Sequence, residues 1–216
     1  MKKILAVDVG GSNVKVLATG EKKRRKIPSG RTMTPEEMVR AVKKETRDWE
    51  YDRVTVAYPG AVMDGTIVKD PHNLGPGWQG FNFQKAFGCK TRVLNDAAAQ
   101  ALGSYEGGSM LFLGLGTGLG AALVVDGTVV PLEIAHLPFQ EGKSYEYFWG
   151  KAGHARLGDK KWEKHVHEIV RLFRTAFVAD DVVLGGGEVD ELKALPEGCR
   201  AGKNSNAFKG CYRVWE

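Results

Sequence analysis

The sequence predicts an α/β protein built as two similar lobes. Two observations carry that prediction. Short apolar runs alternate with amphipathic helical stretches along the chain, the pattern of α/β architecture. A unit of apolar run, glycine turn and second apolar run opens the chain at Ile4–Lys15 and recurs at Met110–Val125. The two copies share no close sequence similarity, so what repeats is a design. The lobe boundary falls within 96–107, giving an N-terminal lobe of residues 1–98 and a C-terminal lobe of residues 99–216.

The elements follow in order. Ile4–Val7 reads as a buried strand ended by the carboxylate Asp8, and Gly10-Gly11 permits a turn that a Cβ would obstruct. Val14–Ala18 returns as a second strand. The basic run Lys22–Lys26 reads as a solvated turn. Thr34-Pro35-Glu36-Glu37 starts a helix, with Thr as N-cap, Pro at the first helical position and acids in the first turn. That helix runs to Trp49 and presents Met38, Val42 and Thr46 on one face. Val54–Ala57 is a strand, Gly65 turns a hairpin, and residues 73–78 form an irregular loop rich in Gly and Pro. A short helix, Phe83–Phe87, precedes the strand Arg92–Leu94, which ends at Asn95-Asp96 before an Ala-rich helix.

In the second half, Met110–Leu113 and Ala121–Val125 flank the glycine run Gly114–Gly120. Pro131–Pro138 reads as a loop. Lys160–Phe177 is the longest helix, with Trp162, Val166, Ile169, Val170 and Phe173 at helical spacing. Val182–Leu184 is a strand ending in Gly185-Gly186-Gly187. The tail has an irregular part, Pro196–Asn206, and a last element from Phe208 to Trp215.

Composition narrows the function classes. The 216 residues suffice for a sizeable core, with 43% hydrophobic and 26% charged residues. No stretch is apolar enough to cross a membrane, and Asp8 interrupts the N-terminal apolar run too soon for a secretion signal. The three cysteines, Cys89, Cys199 and Cys211, sit at neither metal-ligand nor redox spacing. They read as free thiols of a cytoplasmic protein. A net charge of +5 is mild. The basic run alone is no nucleic-acid-binding motif, so neither nucleic acid nor membrane is an expected partner.

The chemistry concentrates in five places. At Asp8–Lys15, backbone N–H groups of a glycine turn can point at phosphate oxygens, and Asp8 can hold a hydrated Mg²⁺. The candidate phosphate ligands there are Gly10, Gly11, Ser12, Asn13 and Lys15. The competing reading is an ordinary Gly-Gly hairpin. Gly116, Thr117 and Gly118 form a second candidate cradle, because a strand rather than a dinucleotide-binding helix follows them. Asp96 ends a buried strand beside Asn95, a rigid position for a general base, although the cap of the following helix is an alternative role. Glu133 and His136 lie three apart in a loop and offer acceptor and donor groups suited to sugar hydroxyls. Zinc is the rival there, but cysteines and a His-Glu-x-x-His pattern are lacking nearby. Gly185-Gly186-Gly187 supplies a last glycine turn. His165 and His167 read as helix-surface residues.

Taken together, these segments resemble the ROK family of sugar kinases within the actin-like, ribonuclease-H-like ATPase superfamily. Asp8-Val9-Gly10-Gly11-Ser12-Asn13-Val14-Lys15 resembles the family's first phosphate motif and Leu113–Gly120 its second. Leu94-Asn95-Asp96-Ala97-Ala98-Ala99 resembles its catalytic segment, Leu132–His136 its sugar loop and Leu184–Gly187 its nucleotide-side glycines. Thr34-Pro35 and the compact length most resemble the polyphosphate-glucokinase branch. The resemblance implies a two-lobed fold whose central cleft is lined by Asp8, Asp96, Gly116 and His136. It implies phosphoryl transfer from polyphosphate or ATP to the 6-hydroxyl of glucose or a related hexose. Asp96 would be the base, with Asn73, Asn95, Glu133 and His136 on the sugar, and Gly185, Gly186 and Gly187 on the nucleotide side. Mg²⁺ would sit at Asp8 through water, and the protein would be a homodimer. Two departures stand out. No cysteine lies between Cys89 and Cys199, so the family's structural zinc is expected to be absent. The residue before His136 is Ala135 where the family carries Gly, which costs roughly 1 kcal/mol if that position needs a positive φ. Two other readings remain: a non-catalytic sugar or nucleotide sensor, and a superfamily ATPase acting on another substrate. The sensor reading is disfavoured because Asp8 comes too early to follow a DNA-binding segment.

Overall fold

The computed structural model describes residues 2–216, and its chain divides into two compact units. One comprises Met1–Ala99 with Ala207–Glu216, and the other Gln100–Asn206.

The first unit is a five-stranded sheet, in the order β3-β2-β1-β4-β7, with helices on its faces. Its strands are β1 (Ile4–Val9), β2 (Asn13–Ala18), β3 (Arg25–Pro28), β4 (Arg53–Tyr58) and β7 (Lys90–Asn95). A small hairpin, β5 (Val62–Met63) and β6 (Thr66–Ile67), turns at Asp64-Gly65, both at positive φ. β1, β4 and β7 run parallel, whereas β2 and β3 are antiparallel to their neighbours. The inner strands β1 and β4 are almost wholly buried, as expected where both faces are covered, whereas the edge strand β7 carries the polar residues Lys90, Thr91 and Arg92 before it buries Val93 and Asn95.

Helix α1 (Pro35–Glu45) begins as the sequence predicts, with a capping box between Thr34 and Glu37. It buries Met38, Val39 and Val42. Thr46, expected to extend that face, is buried as the C-cap and donates to the Val42 carbonyl. Part of the basic run is strand rather than turn. Arg25 enters β3, forks onto Asp48 at 2.6 and 2.7 Å and stacks over Trp49. Its neighbours Lys22, Lys23, Arg24 and Lys26 are exposed.

Helix α2 (Phe83–Phe87) ends at Gly88 in the left-handed region. Helix α3 (Asp96–Ser104) follows β7 without a break. The last helix, α7 (Asn206–Arg213), belongs mainly to this unit, although the sequence reading grouped residues 99–216 together. Phe208 and Cys211 bury against Ala6, Ala57 and Ala99. The hydroxyl of Thr55, fully buried, donates to the Cys211 carbonyl and accepts from Trp215 Nε1, each at 2.7 Å.

The second unit repeats the topology. Its sheet runs β10-β9-β8-β11-β12, formed by β8 (Ser109–Leu115), β9 (Leu119–Val125), β10 (Thr128–Leu132), β11 (Asp181–Gly185) and β12 (Cys199–Ala201). In each sheet a central strand, β1 or β8, continues on one side through two successive antiparallel pairings and on the other through two successive parallel ones. β10 takes in Pro131 and Leu132, expected as loop. It lies at the sheet edge, where a missing N–H is tolerated. β12 forms within the stretch expected to be irregular. Helices α4 (Tyr145–Phe148) and α5 (Gly150–Leu157) lead into α6 (Asp159–Ala176). All five apolar residues read at helical spacing on α6 are buried.

Candidate functional site

In the first unit the parallel strands bring three candidate segments to one end of the sheet. Asp8 pairs in register with Ala57, and Ala57 with Leu94, two residues before Asp96. Asp8 and Asp96 therefore stand at the same carboxyl edge, two strand spacings or roughly 9.5 Å apart across the sheet. That edge is where open α/β sheets bind ligands.

The turn after β1 is tightly held. Gly10 N donates to Asn13 O at 3.1 Å, and Ser29 closes the turn from outside by donating to Gly10 O at 2.6 Å. A Cβ on Gly11 would lie 2.9 Å from Asn73 Cβ, so glycine lets the 73–78 loop close onto the turn. Asp70 anchors that loop by accepting from the backbone N–H groups of Gly77, Trp78 and Gln79 at 3.1, 2.7 and 2.9 Å. These bonds hold its carboxyl below the ordinary carboxylate range. Ser29 and Asp70, which hold the turn and the loop in place, are not singled out by the sequence reading. Lys15 stands directly across from Asp8, with Nζ 3.0 Å from Oδ2, and Lys26 is the next residue in the same cross-strand row.

At the end of β7 the expected helix cap is reassigned. Asn95, not Asp96, caps α3: its Oδ1 accepts from Ala97 N and Ala98 N at 2.9 and 3.1 Å. Its Nδ2 donates to Gly60 O at 3.0 Å, leaving one amide hydrogen for a ligand. Asp96 is the first residue of the helix, where the dipole favours an anion, and its Oδ1 accepts from Ala97 N at 2.7 Å.

In the second unit, Leu115 and Leu119 close the β8–β9 pair and leave Gly116, Thr117 and Gly118 as the turn. Lys151 N, at the start of α5, donates to Gly116 O at 2.8 Å. Gly186, at φ +96°, sits against Leu115 and Gly116, where a Cβ would lie 3.0 Å from Gly116 N. The structure thus brings Gly116 and Gly186 together. Gly185 backs onto the Phe112 ring, and Gly187 faces open space.

The Glu133–His136 loop is pinned through its buried middle. Ile134 and Ala135 are core residues, and Ala135 O accepts from Glu146 N at 2.9 Å. Ala135 is absent from the non-glycine residues at positive φ, so the position carries no left-handed strain. Glu133 and His136 are both exposed. The residue that ties this loop to the glycine turn is Glu146. Its Oε2 stands 3.6 Å from His136 Nδ1, and its Oε1 occupies the space that a Cβ on Gly118 would need. The sequence reading missed Glu146. The available signal was the order Ser144-Tyr145-Glu146, an N-cap residue and then an acid in a helical first turn.

His165 also departs from expectation. Its ring is inside an aromatic cluster, 4.6 Å from Phe148, and its Nδ1 is buried without a hydrogen-bond partner among the described residues. The cysteines are guarded by burial: the Cys199 thiol is pushed up to about 11 and the Cys211 thiol higher still.

No group of three or more His, Cys, Asp or Glu side chains gathers into a metal site among the described residues. A single carboxylate beside a glycine turn, Asp8, nonetheless fits Mg²⁺, which keeps most of its waters and takes its other ligands from phosphate. No described helix is long and apolar enough to cross a membrane.

Comparisons with known proteins bear on the same segments. A polyphosphate glucokinase from Mycobacterium tuberculosis is 28% identical over 207 residues, covering 84% of this chain and 76% of the relative. An N-acetylmannosamine kinase from Citrobacter koseri is 29% identical over 142 residues, 58% of this chain and 49% of the relative. The crystal structure of inorganic polyphosphate/ATP-glucomannokinase from Arthrobacter sp. strain KM superposes with a TM-score of 0.82 at 22% identity, covering 100% of this chain and 98% of that one. The fold is accordingly that of the actin-like ATPases. The ROK family profile matches residues 4–131, a span holding the Gly10-Gly11 and Gly116–Gly118 turns, the Asn95-Asp96 pair and all but the end of β10. The chain belongs to the ROK family.

Proposed function

We propose that this protein is a sugar kinase that transfers a phosphoryl group from polyphosphate or ATP to the 6-hydroxyl of glucose or a related hexose. The observation that carries the reading is Glu146, which joins the His136 loop to the Gly118 turn. A loop of hydroxyl-binding side chains held beside a backbone phosphate cradle is what phosphoryl transfer to a sugar requires. The kinases among the relatives support the same reading.

In this reading Asp96 accepts the hydroxyl proton from the sugar. Its place in the first turn of α3 suits an anion and sets the carboxylate at the helix start. Glu133, His136 and Glu146 hold the sugar hydroxyls, with Asn73 and the remaining amide hydrogen of Asn95 as further donors. The Gly10–Asn13 and Gly116–Gly118 turns, with Gly185–Gly187, hold the donor phosphates through backbone N–H groups. Asp8 would hold Mg²⁺ through water, and the ion would neutralise charge on the donor phosphates. Lys15 adds a cation at the first turn.

Polyphosphate is the favoured donor because of the row Asp8–Lys15–Lys26. Lys15 and Lys26 are neighbours across strands, so cations lead away from the phosphate turn in line. An extended polyanion gains from each cation along its path, and such contacts weaken steeply with salt. ATP is the second reading, supported by the glycine turn at Gly185–Gly187.

The test is a matrix of glucose, mannose and N-acetylmannosamine against polyphosphate and ATP, with Mg²⁺, over a salt series. Expected are glucose phosphorylation with polyphosphate, a steep loss with salt, and a weaker salt response with ATP. Activity with ATP alone at low salt would overturn the donor assignment. No phosphorylation of any hexose would overturn the kinase reading.

A further inference from the structure

The glycine turns of the second unit are flanked by a side-chain pin to which the proposed roles give no part. Gly116 has backbone packed on two sides. A Cβ on Gly150, at the start of α5, would lie 2.7 Å from Gly116 O, and one on Gly186 would lie 3.0 Å from Gly116 N. His154 follows Gly150 by one helical turn, and Glu188 follows Gly186 by two residues in the 3-10 turn Gly187–Glu191. The two side chains meet: His154 Nδ1 stands 2.9 Å from Glu188 Oε2. The other ring nitrogen, Nε2, stands 3.0 Å from Asp159 Oδ1 at the start of α6. The ring face stacks on Trp162, with centroids 4.0 Å apart and planes within 16°. One imidazole therefore ties α5, α6 and the glycine-turn segment together.

A neutral imidazole has one N–H and can donate to only one of two carboxylates, whereas an imidazolium donates to both. The groups facing the ring are Glu188 from the 3-10 turn, Asp159 from α6 and the Trp162 ring, with Lys193 acting on Asp159 from a distance. The acids prevail. The Glu188 hydrogen bond first, and the Asp159 bond after it, raise His154 above its ordinary 6.5 against the opposing effect of burial. A raised folded value means that the pin is complete below about pH 6.5 and is lost as pH rises through the folded value.

We propose that His154 is a positioning residue. As the imidazolium it fixes Gly185–Gly187 against the Gly116–Gly118 turn for donor-phosphate binding, and its deprotonation loosens that turn. The inference rests on the reading of both turns as donor-phosphate ligands.

The test compares wild type with His154→Gln, which cannot titrate, His154→Phe, which keeps the ring stack, and Glu188→Gln. The donor KM should rise roughly 3- to 10-fold in the variants, about the worth of one hydrogen bond, with sugar KM little changed. In wild type the donor KM should climb as pH rises above about 6.5, and in His154→Gln that climb should vanish. A wild-type donor KM and pH profile in both His154→Phe and Glu188→Gln would overturn the proposal. If wild type phosphorylates nothing, the kinase reading fails and the pin is judged separately. An NMR titration placing His154 above 6.5, with amide protection at Gly185–Glu188, taken relative to the intrinsic exchange rate at each pH, falling as it deprotonates, would support it. An ordinary titration, or exchange that ignores it, would overturn it.

Discussion

One oxygen of Glu146 stands 3.6 Å from His136 Nδ1, while the other fills the space beside Gly118 that any larger residue would need. In the proposed reading, a carboxylate so placed offers an acceptor to a sugar hydroxyl beside His136. Glu146→Gln keeps the shape and removes the charge. We expect the sugar KM to rise roughly 10- to 100-fold, the loss of a charged hydrogen bond worth about 1.5–3 kcal/mol. The donor KM should change little. An unchanged sugar KM would remove Glu146 from the sugar site.

Asp96→Ala should lower turnover by about 10²–10⁴-fold, the usual loss of a general base. The fold should survive, because Asn95 carries the cap of α3. The paired variant Asn95→Ala should do the reverse to stability, losing about 1–2 kcal/mol through the vacated amides. Thermal melts of both proteins, alongside turnover, separate the two roles. Near wild-type turnover in Asp96→Ala would rule it out as the base.

Ala135→Gly should destabilise. The position is buried and free of left-handed strain, so glycine adds unfolded-state freedom and relieves nothing. The expected loss is roughly 0.5–1 kcal/mol in a denaturant titration, with sugar affinity unimproved. Tighter sugar binding in Ala135→Gly would show strain at this position after all.

Acid should loosen the loop that carries Asn73. Asp70 accepts three backbone amides, which lowers its folded pKa beneath the ordinary 3.8. A depressed carboxyl contributes stability that is present above the unfolded value and lost as pH falls through the folded one. The Tm gap between wild type and Asp70→Asn should therefore be widest above about pH 4 and shrink below it. A gap independent of pH would assign the difference to something other than the Asp70 charge.

Much of this was legible in the sequence because it is local. The Thr34-Pro35 helix start, the apolar strands ending at Asp8 and Asn95, and the core face of α6 each depend on residues within a few turns of one another. The shared design of the two glycine hairpins was legible too, and it returned as one strand order in both sheets. The assignment of the α3 cap to Asn95 rather than Asp96 was not legible, since adjacent residues of like capping propensity differ only in side-chain direction.

The elements, the glycine turns and the order in which charged groups follow them are written in the chain locally. Hydrophobic period and backbone freedom are properties of short stretches and act wherever the stretch lies. Which distant residues meet depends on how the elements pack. Glu146 reaches Gly118 only because β10 and the Glu133–His136 loop return the chain to that turn. Helix α7 joins the first unit because Thr55 and the Ala6–Ala57 surface fit Cys211, Phe208 and Trp215. The apolar face of α7 fits many apolar surfaces by period alone. Complementary packing and a paired buried hydroxyl select one, and both are properties of the folded surface.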